Sequence, residues 1–190
     1  LNISWWSAME DSSRDSKRFQ QERFLLSQLL VMALKGVPAF YLPALLGSEN
    51  DIKRFSKTGE RRDLNREKFD FDKLIIQLED ENSIGSKNLK ILSNAMKIRS
   101  KIKSFHPSAD MKCLTKGRRD IVAIHRGVEN SSIIAIHNIT DNKLDFSVDD
   151  SSNFFLNDVC TYYDYLSGKE YTNLNFVLDP FQVLWIGKNK

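Results

Sequence analysis

At 190 residues the chain has room for one domain or two small ones, and 41% hydrophobic with 28% charged residues is the make-up of an ordinary water-soluble globular protein. Its 28 Lys and Arg are set against 25 Asp and Glu spread along the chain, and the resulting net charge of +3 argues against a nucleic-acid partner. The longest apolar run, FLLSQLLVMAL from Phe24 to Leu34, is about half a bilayer-spanning length, so a membrane partner is not expected either.

In chain order, LNISWW opens as a short extended piece with adjacent Trp5 and Trp6, and Ser7 to Asp15 reads as a polar loop. A helix is predicted from Ser16 to Lys35: Phe24, Leu25, Leu29, Met32 and Ala33 recur at three- and four-residue spacing, and Leu26, Leu30 and Leu34 widen the stripe to that of a largely buried helix. Gly36 is its natural stop. Val37 to Leu42 (VPAFYL) is apolar on both faces, as in a parallel strand covered on two sides. Gly47 to Arg66 reads as a long polar loop, of a length that inside a compact domain is usually functional or disordered.

Two more helices are predicted, Phe71 to Glu79 and Ser86 to Ser104, the second closed by Pro107. From Met111 the period changes. Asp120–His125, Ile133–Ile139, Lys143–Val148, Thr161–Tyr165 and Phe181–Ile186 read as short strands. They are separated by the turn-rich pieces ENSS, TDN, DDSSN and LSGK, which suggests an antiparallel β module. The expected division is 1–107 and 108–190.

Few residues point to chemistry by themselves. Cys113 and Cys160 lack paired spacing and suit a reduced, cytoplasmic protein. His106, His125 and His137 have no metal-ligand spacing, so no metal is expected. No nucleotide-binding or serine-hydrolase motif occurs, and no cofactor is expected. Tyr162, Tyr163, Tyr165 and Tyr171 could meet a glucan, although packing between strands explains them better. There is no signal-peptide pattern, and the first residue is Leu, which fits a piece of a longer protein.

Longer stretches carry a resemblance. LNISWW, the helix ending ALKG, the run VPAFYLPALLGSENDIKRFSKTGERRDLNREKFD, the helix end IRSKIKSFHP, and the pieces HN-x-T and DPFQVLWI together resemble the last third of sucrose phosphorylase-type enzymes. That group lies in the alpha-amylase superfamily, glycoside hydrolase family 13. The resemblance covers nearly the whole chain, and its most specific part is the ND…RRDLNR block.

It implies an α/β fold: the C-terminal piece of a (β/α)8 TIM barrel (the last helix, strand and helix) followed by a small antiparallel all-β domain. The charged stretch after VPAFYL would be the final βα loop, on the barrel face where active sites are built. The implied chemistry is retaining glucosyl transfer from sucrose or a related α-glucoside to phosphate, giving glucose 1-phosphate. It needs two carboxyls about 5–5.5 Å apart. In the family these, and a third carboxylate, sit on barrel strands that precede Leu1, so the isolated chain is expected to be inactive.

The substrates implied are a sugar and inorganic phosphate. Arg62 matches a family arginine that meets substrate or phosphate; alternatively it is a solvated arginine paired with Asp63 or Glu60. Asn50 and Asp51 follow a glycine turn and either cap the loop or bond sugar hydroxyls. The same choice stands for Asn65, while Arg66 could brace the loop instead. Trp5 either stacks on a sugar face or, together with Trp6, packs against the barrel rim. The alternative function is a non-catalytic carbohydrate-binding or structural β module. Separated from its neighbours, a barrel remnant would expose Phe24, Leu25, Leu29, Phe40 and Tyr41, and would either self-associate through them or be poorly ordered before about Ser86.

Overall fold

A computed structural model describes residues 2–11, 15, 17–115, 117–127, 132–148 and 161–188. Ser16, Cys160, the turn residues 129–131 and the DDSSN piece lie outside these described residues. Five α-helices occur among them: α1 (Gln20–Ala33), α2 (Leu42–Leu45), α3 (Ile52–Thr58), α4 (Phe71–Glu79) and α5 (Ile84–Lys101). Eight strands follow: β1 (Met111–Cys113), β2 (Ile121–Arg126), β3 (Ile133–Asn138), β4 (Leu144–Ser147), β5 (Tyr162–Asp164), β6 (Glu170–Tyr171), β7 (Asn175–Leu178) and β8 (Val183–Lys188). The chain falls into two compact units, Leu1–Leu25 with Ala39–Asn94, and Leu26–Pro38 with Ala95–Lys190.

In the first unit, α1 starts four residues later than its periodicity suggests. Phe19 stands at φ +58°, in the left-handed region, and a right-handed helix cannot run through it. The Trp6 indole is buried edge-on against Phe24, with ring centres 5.3 Å apart. Gln20 donates to the Trp6 carbonyl at 3.0 Å and Arg23 to the Met9 carbonyl at 2.6 Å, so α1 ties down the N-terminal segment.

Phe24, expected to face water, is fully buried, and Leu29, in the second unit, is buried as well. The long polar loop expected from Gly47 to Arg66 contains α3 and a 3-10 turn, Arg61–Asn65. Asp51 starts α3 by accepting from the Arg54 amide at 2.9 Å, and Gly59 ends it at φ +67°. Helix α4 matches its predicted bounds, with Asp70 as its cap. Helix α5 starts at Ile84 because the Ser83 hydroxyl accepts from the Ser86 amide at 3.1 Å.

The segment VPAFYL is corrected by the structure. It stays extended through Tyr41 (φ −93°, ψ 129°), but it joins no ladder among the described strands, and Leu42 already belongs to α2. An extended segment becomes a strand only when a partner takes up its backbone groups. Its expected two-sided burial is absent too: Val37 and Tyr41 are exposed.

In the second unit a six-stranded antiparallel sheet has the order β1-β2-β3-β8-β5-β6, and β4 pairs with β7 as a separate ribbon. Register sorts the sheet's faces. Ile121, Ala123, Ile134, Ile136, Leu184 and Ile186 form one face, packed with Phe146, Phe176 and Leu178 of the ribbon. On the other face Trp185 is fully buried, with its ring 4.7 Å from that of Phe105. The HN-x-T piece has a local reason. The buried Asn138 amide donates to the Asn142 and Asp179 carbonyls at 2.7 and 2.8 Å, and its oxygen accepts from the Thr140 amide at 3.0 Å. Buried Asp164 likewise accepts from the Trp185 amide at 2.8 Å. No described helix is long and apolar enough to cross a membrane.

Candidate functional site

The charged stretch of the first unit borders an open cleft of about 470 Å³, lined by Tyr41, Arg54, Arg62, Asp63, Arg66 and Lys68, with Glu60 and Glu67. Helix α3 and the 3-10 turn form its walls, and two contacts join them. The Asp51 amide donates to the Leu64 carbonyl at 2.8 Å, and the Arg54 guanidinium meets the Asp63 carboxylate at 2.7 Å. Arg54 also reaches the Arg66 carbonyl at 3.4 Å. The Thr58 hydroxyl, and then Arg54, hold the Asp63 carboxyl below the usual carboxylate range against the opposing effect of partial desolvation.

Arg62 and Arg66 are exposed on the turn, and neither forms an ion pair with a carboxylate among the described residues. Of the two partners expected for Arg62, Asp63 is taken by Arg54, and Glu60 forms no ion pair with Arg62 among the described residues. Asn50 is half-buried: its side-chain oxygen accepts from the Ser4 amide at 2.7 Å and its own amide donates to the Ser7 hydroxyl at 3.1 Å. The Asp51 carboxylate caps α3. The Asn65 amide group reaches the Ile3 carbonyl at 3.5 Å. Trp5 is 47% exposed and lines a smaller recess of about 180 Å³ together with Tyr41 and Asn65. Tyr41 therefore borders both hollows.

Sequence reasoning missed Tyr41 and Lys68 as cleft residues and Arg54 as a brace. Tyr41 had been assigned to a buried strand. Arg54 was hidden because its partner lies in a different local element, although Asp51 and Gly59 were readable cap signals for the helix that carries it.

None of the three histidines lines this cleft; all belong to the second unit. His125 and His137 sit on the adjacent strands β2 and β3 but on opposite faces, since His137 is registered with Val122 and His125 with Ile134. They cannot converge on one ion. His125 meets the Ser132 hydroxyl at 2.8 Å, and His106 meets that of Ser108 at 2.7 Å. Cys113 is exposed and free, 3.1 Å from the Thr115 hydroxyl. Tyr162 and Tyr171 pack against the β core.

No family model matches the chain. It is 30% identical over 142 residues to a glucosylglycerate phosphorylase of Allomeiothermus silvanus, a match covering 74% of this chain and 25% of that protein. It is 26% identical over 187 residues to the glucosylglycerate phosphorylase of Escherichia coli, covering 98% of this chain and 32% of the relative. Among solved structures, an Anoxybacillus alpha-amylase superposes with a TM-score of 0.64 at 14% identity, over 90% of this chain and 33% of that one. The enzyme AmyP bound to maltotriose does so with 0.69 at 14% identity, over 88% and 34%.

The chain matches the C-terminal portion of alpha-amylase-family enzymes. As such a portion it spans about a quarter to a third of the length of these curated relatives. The distant structural likenesses bear on the fold alone. They agree with a few helices followed by an antiparallel sheet at the end of an alpha-amylase-family enzyme.

Proposed function

We propose that this chain supplies the C-terminal portion of a retaining glucoside phosphorylase, with the cleft beside the 3-10 turn on its acceptor side. The phosphorylase would transfer a glucosyl unit to phosphate and give glucose 1-phosphate. The observation that carries the reading is the pair of exposed arginines, Arg62 and Arg66, which form no ion pair among the described residues and line the cleft with Tyr41 and Lys68. A guanidinium fork matches a phosphate or carboxylate edge bidentately, and such charge-assisted contacts are roughly twice as strong as neutral ones. The names of the relatives favour glucosylglycerate over sucrose as the glucoside. Glycerate is itself an anion, so both phosphate and that leaving group suit a cationic cleft.

The test is titration of the chain with phosphate, glycerate and sucrose, followed by NMR of arginine side chains. Phosphate and glycerate should move the Arg62 and Arg66 signals, and Arg62→Gln should weaken phosphate binding about tenfold, the worth of one charge-assisted contact. Identical titrations of the parent and Arg62→Gln chains would overturn the role of Arg62. By itself the chain should release no glucose 1-phosphate from any of these glucosides, because double displacement needs two carboxyls placed across one sugar.

The exposed apolar side chains Leu42, Ile52, Phe71 and Ile76 support self-association of the isolated chain. Light scattering should show its mean mass rising with concentration; a constant monomer mass would refute this.

A further inference from the structure

The cleft holds more carboxylate than an anion site would tolerate if its charges were free to pair. Asp63 lies within the turn, between Arg62 and Arg66 in sequence. Arg66 follows the turn directly, three positions on, close enough along the chain for its long side chain to meet an unpaired Asp63 carboxylate. The long side chain of neighbouring Arg62 lies within its reach as well. Either pairing would neutralise a cation that the proposed anion requires. In the structure neither occurs. The Asp63 carboxylate is drawn to the opposite wall, 2.7 Å from Arg54, and both partners of that pair are mostly shielded from solvent.

Arg54 is itself held from two sides. Its backbone amide donates to the Asp51 cap at 2.9 Å, and its guanidinium reaches the Arg66 carbonyl at 3.4 Å. The second contact tethers the main chain of Arg66 while leaving that residue's side chain without a carboxylate.

We infer that Arg54 is a positioning residue: by occupying the Asp63 carboxylate it keeps Arg62 and Arg66 unpaired and available to the anion. This rests on the reading of the cleft as an anion site, and it adds to that reading which residue keeps the site charged. Arg54 need not touch the ligand. Its effect is exerted through Asp63, so the effect of losing Arg54 should vanish when Asp63 loses its charge as well.

Chemical modification by phenylglyoxal, followed residue by residue with mass spectrometry, tests this on the intact chain with and without inorganic phosphate. An arginine held by a carboxylate reacts more slowly than a free one. In the unsubstituted chain Arg62 and Arg66 should react fast and Arg54 slowly. In Arg54→Gln, Arg66 or Arg62 should slow roughly two- to fivefold, the effect of one exposed ion pair. In Arg54→Gln combined with Asp63→Asn the fast rates should return.

Unchanged rates at both arginines in Arg54→Gln would overturn the inference. So would slowing that persists in the double variant, because that is the mark of a distorted loop. If the glutamine variant does not fold, Asp63→Asn in the otherwise unsubstituted chain serves: it should free Arg54 to react fast while Arg62 and Arg66 keep their rates, and an Arg54 that stays slow would overturn the inference. Phosphate reports separately. If it fails to protect Arg62 and Arg66 in the unsubstituted chain, the anion reading falls while the pairing result still stands or fails by its own rates.

Discussion

Arg126→Met should cost the second unit about 3–5 kcal/mol, measured as a lowered urea midpoint at unchanged slope. The Arg126 side chain is fully buried and forms no ion pair among the described residues. It donates instead to four backbone carbonyls: Ala33 at 3.0 Å, Leu34 at 2.6 Å, His106 at 2.8 Å and Asp110 at 3.3 Å. The first two lie at the C-terminal end of α1, where a helix leaves carbonyls without intrahelical partners and concentrates partial negative charge. Arg99 completes the arrangement by donating to the carbonyls of Met32 at 2.9 Å and Gly36 at 3.1 Å. Both guanidiniums lie within 6 Å of the buried Phe105 ring centre, at 5.8 and 5.9 Å.

Replacing a buried ion pair with apolar residues can be neutral when both partners are replaced. That escape is closed here, because backbone carbonyls cannot be substituted away and methionine would leave them buried without donors. Arg126→Lys should lose less, since one ammonium can still serve some of the same carbonyls. A methionine variant within about 1 kcal/mol of the parent would show that water or a shift of the chain replaces the guanidinium.

Acidification from pH 6.5 to 4 should remove about 3 kcal/mol of stability through His137 alone. The side chain is fully buried, and its ionisation is pushed down to about 4, chiefly by burial; the Val122 and Leu29 carbonyls pull upward without offsetting it. Nδ1 lies 3.1 Å from the Val122 carbonyl and so carries the hydrogen, while Nε2 makes no well-aligned hydrogen bond among the described residues. The folded chain therefore prefers the neutral ring. Its contribution is complete above the unfolded value near 6.5 and is lost as pH falls through the folded value near 4.

His125, also shifted down by burial and then by Lys112, adds to the loss with the same sign. Urea unfolding of the parent and His137→Asn between pH 7 and 4 isolates the His137 share, because the other groups are common to both. Parallel pH profiles would mean that the buried ring is not what titrates.

The two effects differ in how far the sequence disclosed them. Three histidines without ligand spacing could be seen to make no metal set, but not that His137 is sealed inside the sheet. Arg126 was read as lying just past the end of its strand. Its burial depends on carbonyls contributed by residues 33, 34, 106 and 110, which no local window brings together.

The site shows the same division. The ND…RRDLNR block drew attention to Arg62 and Arg66, and both border the cleft. The ion pair that occupies Asp63 joins residues nine apart across two elements, both of which had been read as loop.

Periodicity and capping chemistry by themselves determined α4 to the residue, the cores of α1 and α5, and strands β2, β3 and β8 to within two or three residues, because each carries its own repeat of apolar positions. The specific blocks along the chain likewise identified its family kinship. Tertiary structure alone decided that VPAFYL forms no strand, that the short strands β1, β6 and β7 do, and which charges are paired. A ladder, a buried guanidinium and an ion pair each need a partner elsewhere in the chain, and a sequence pattern records only one side of such a contact.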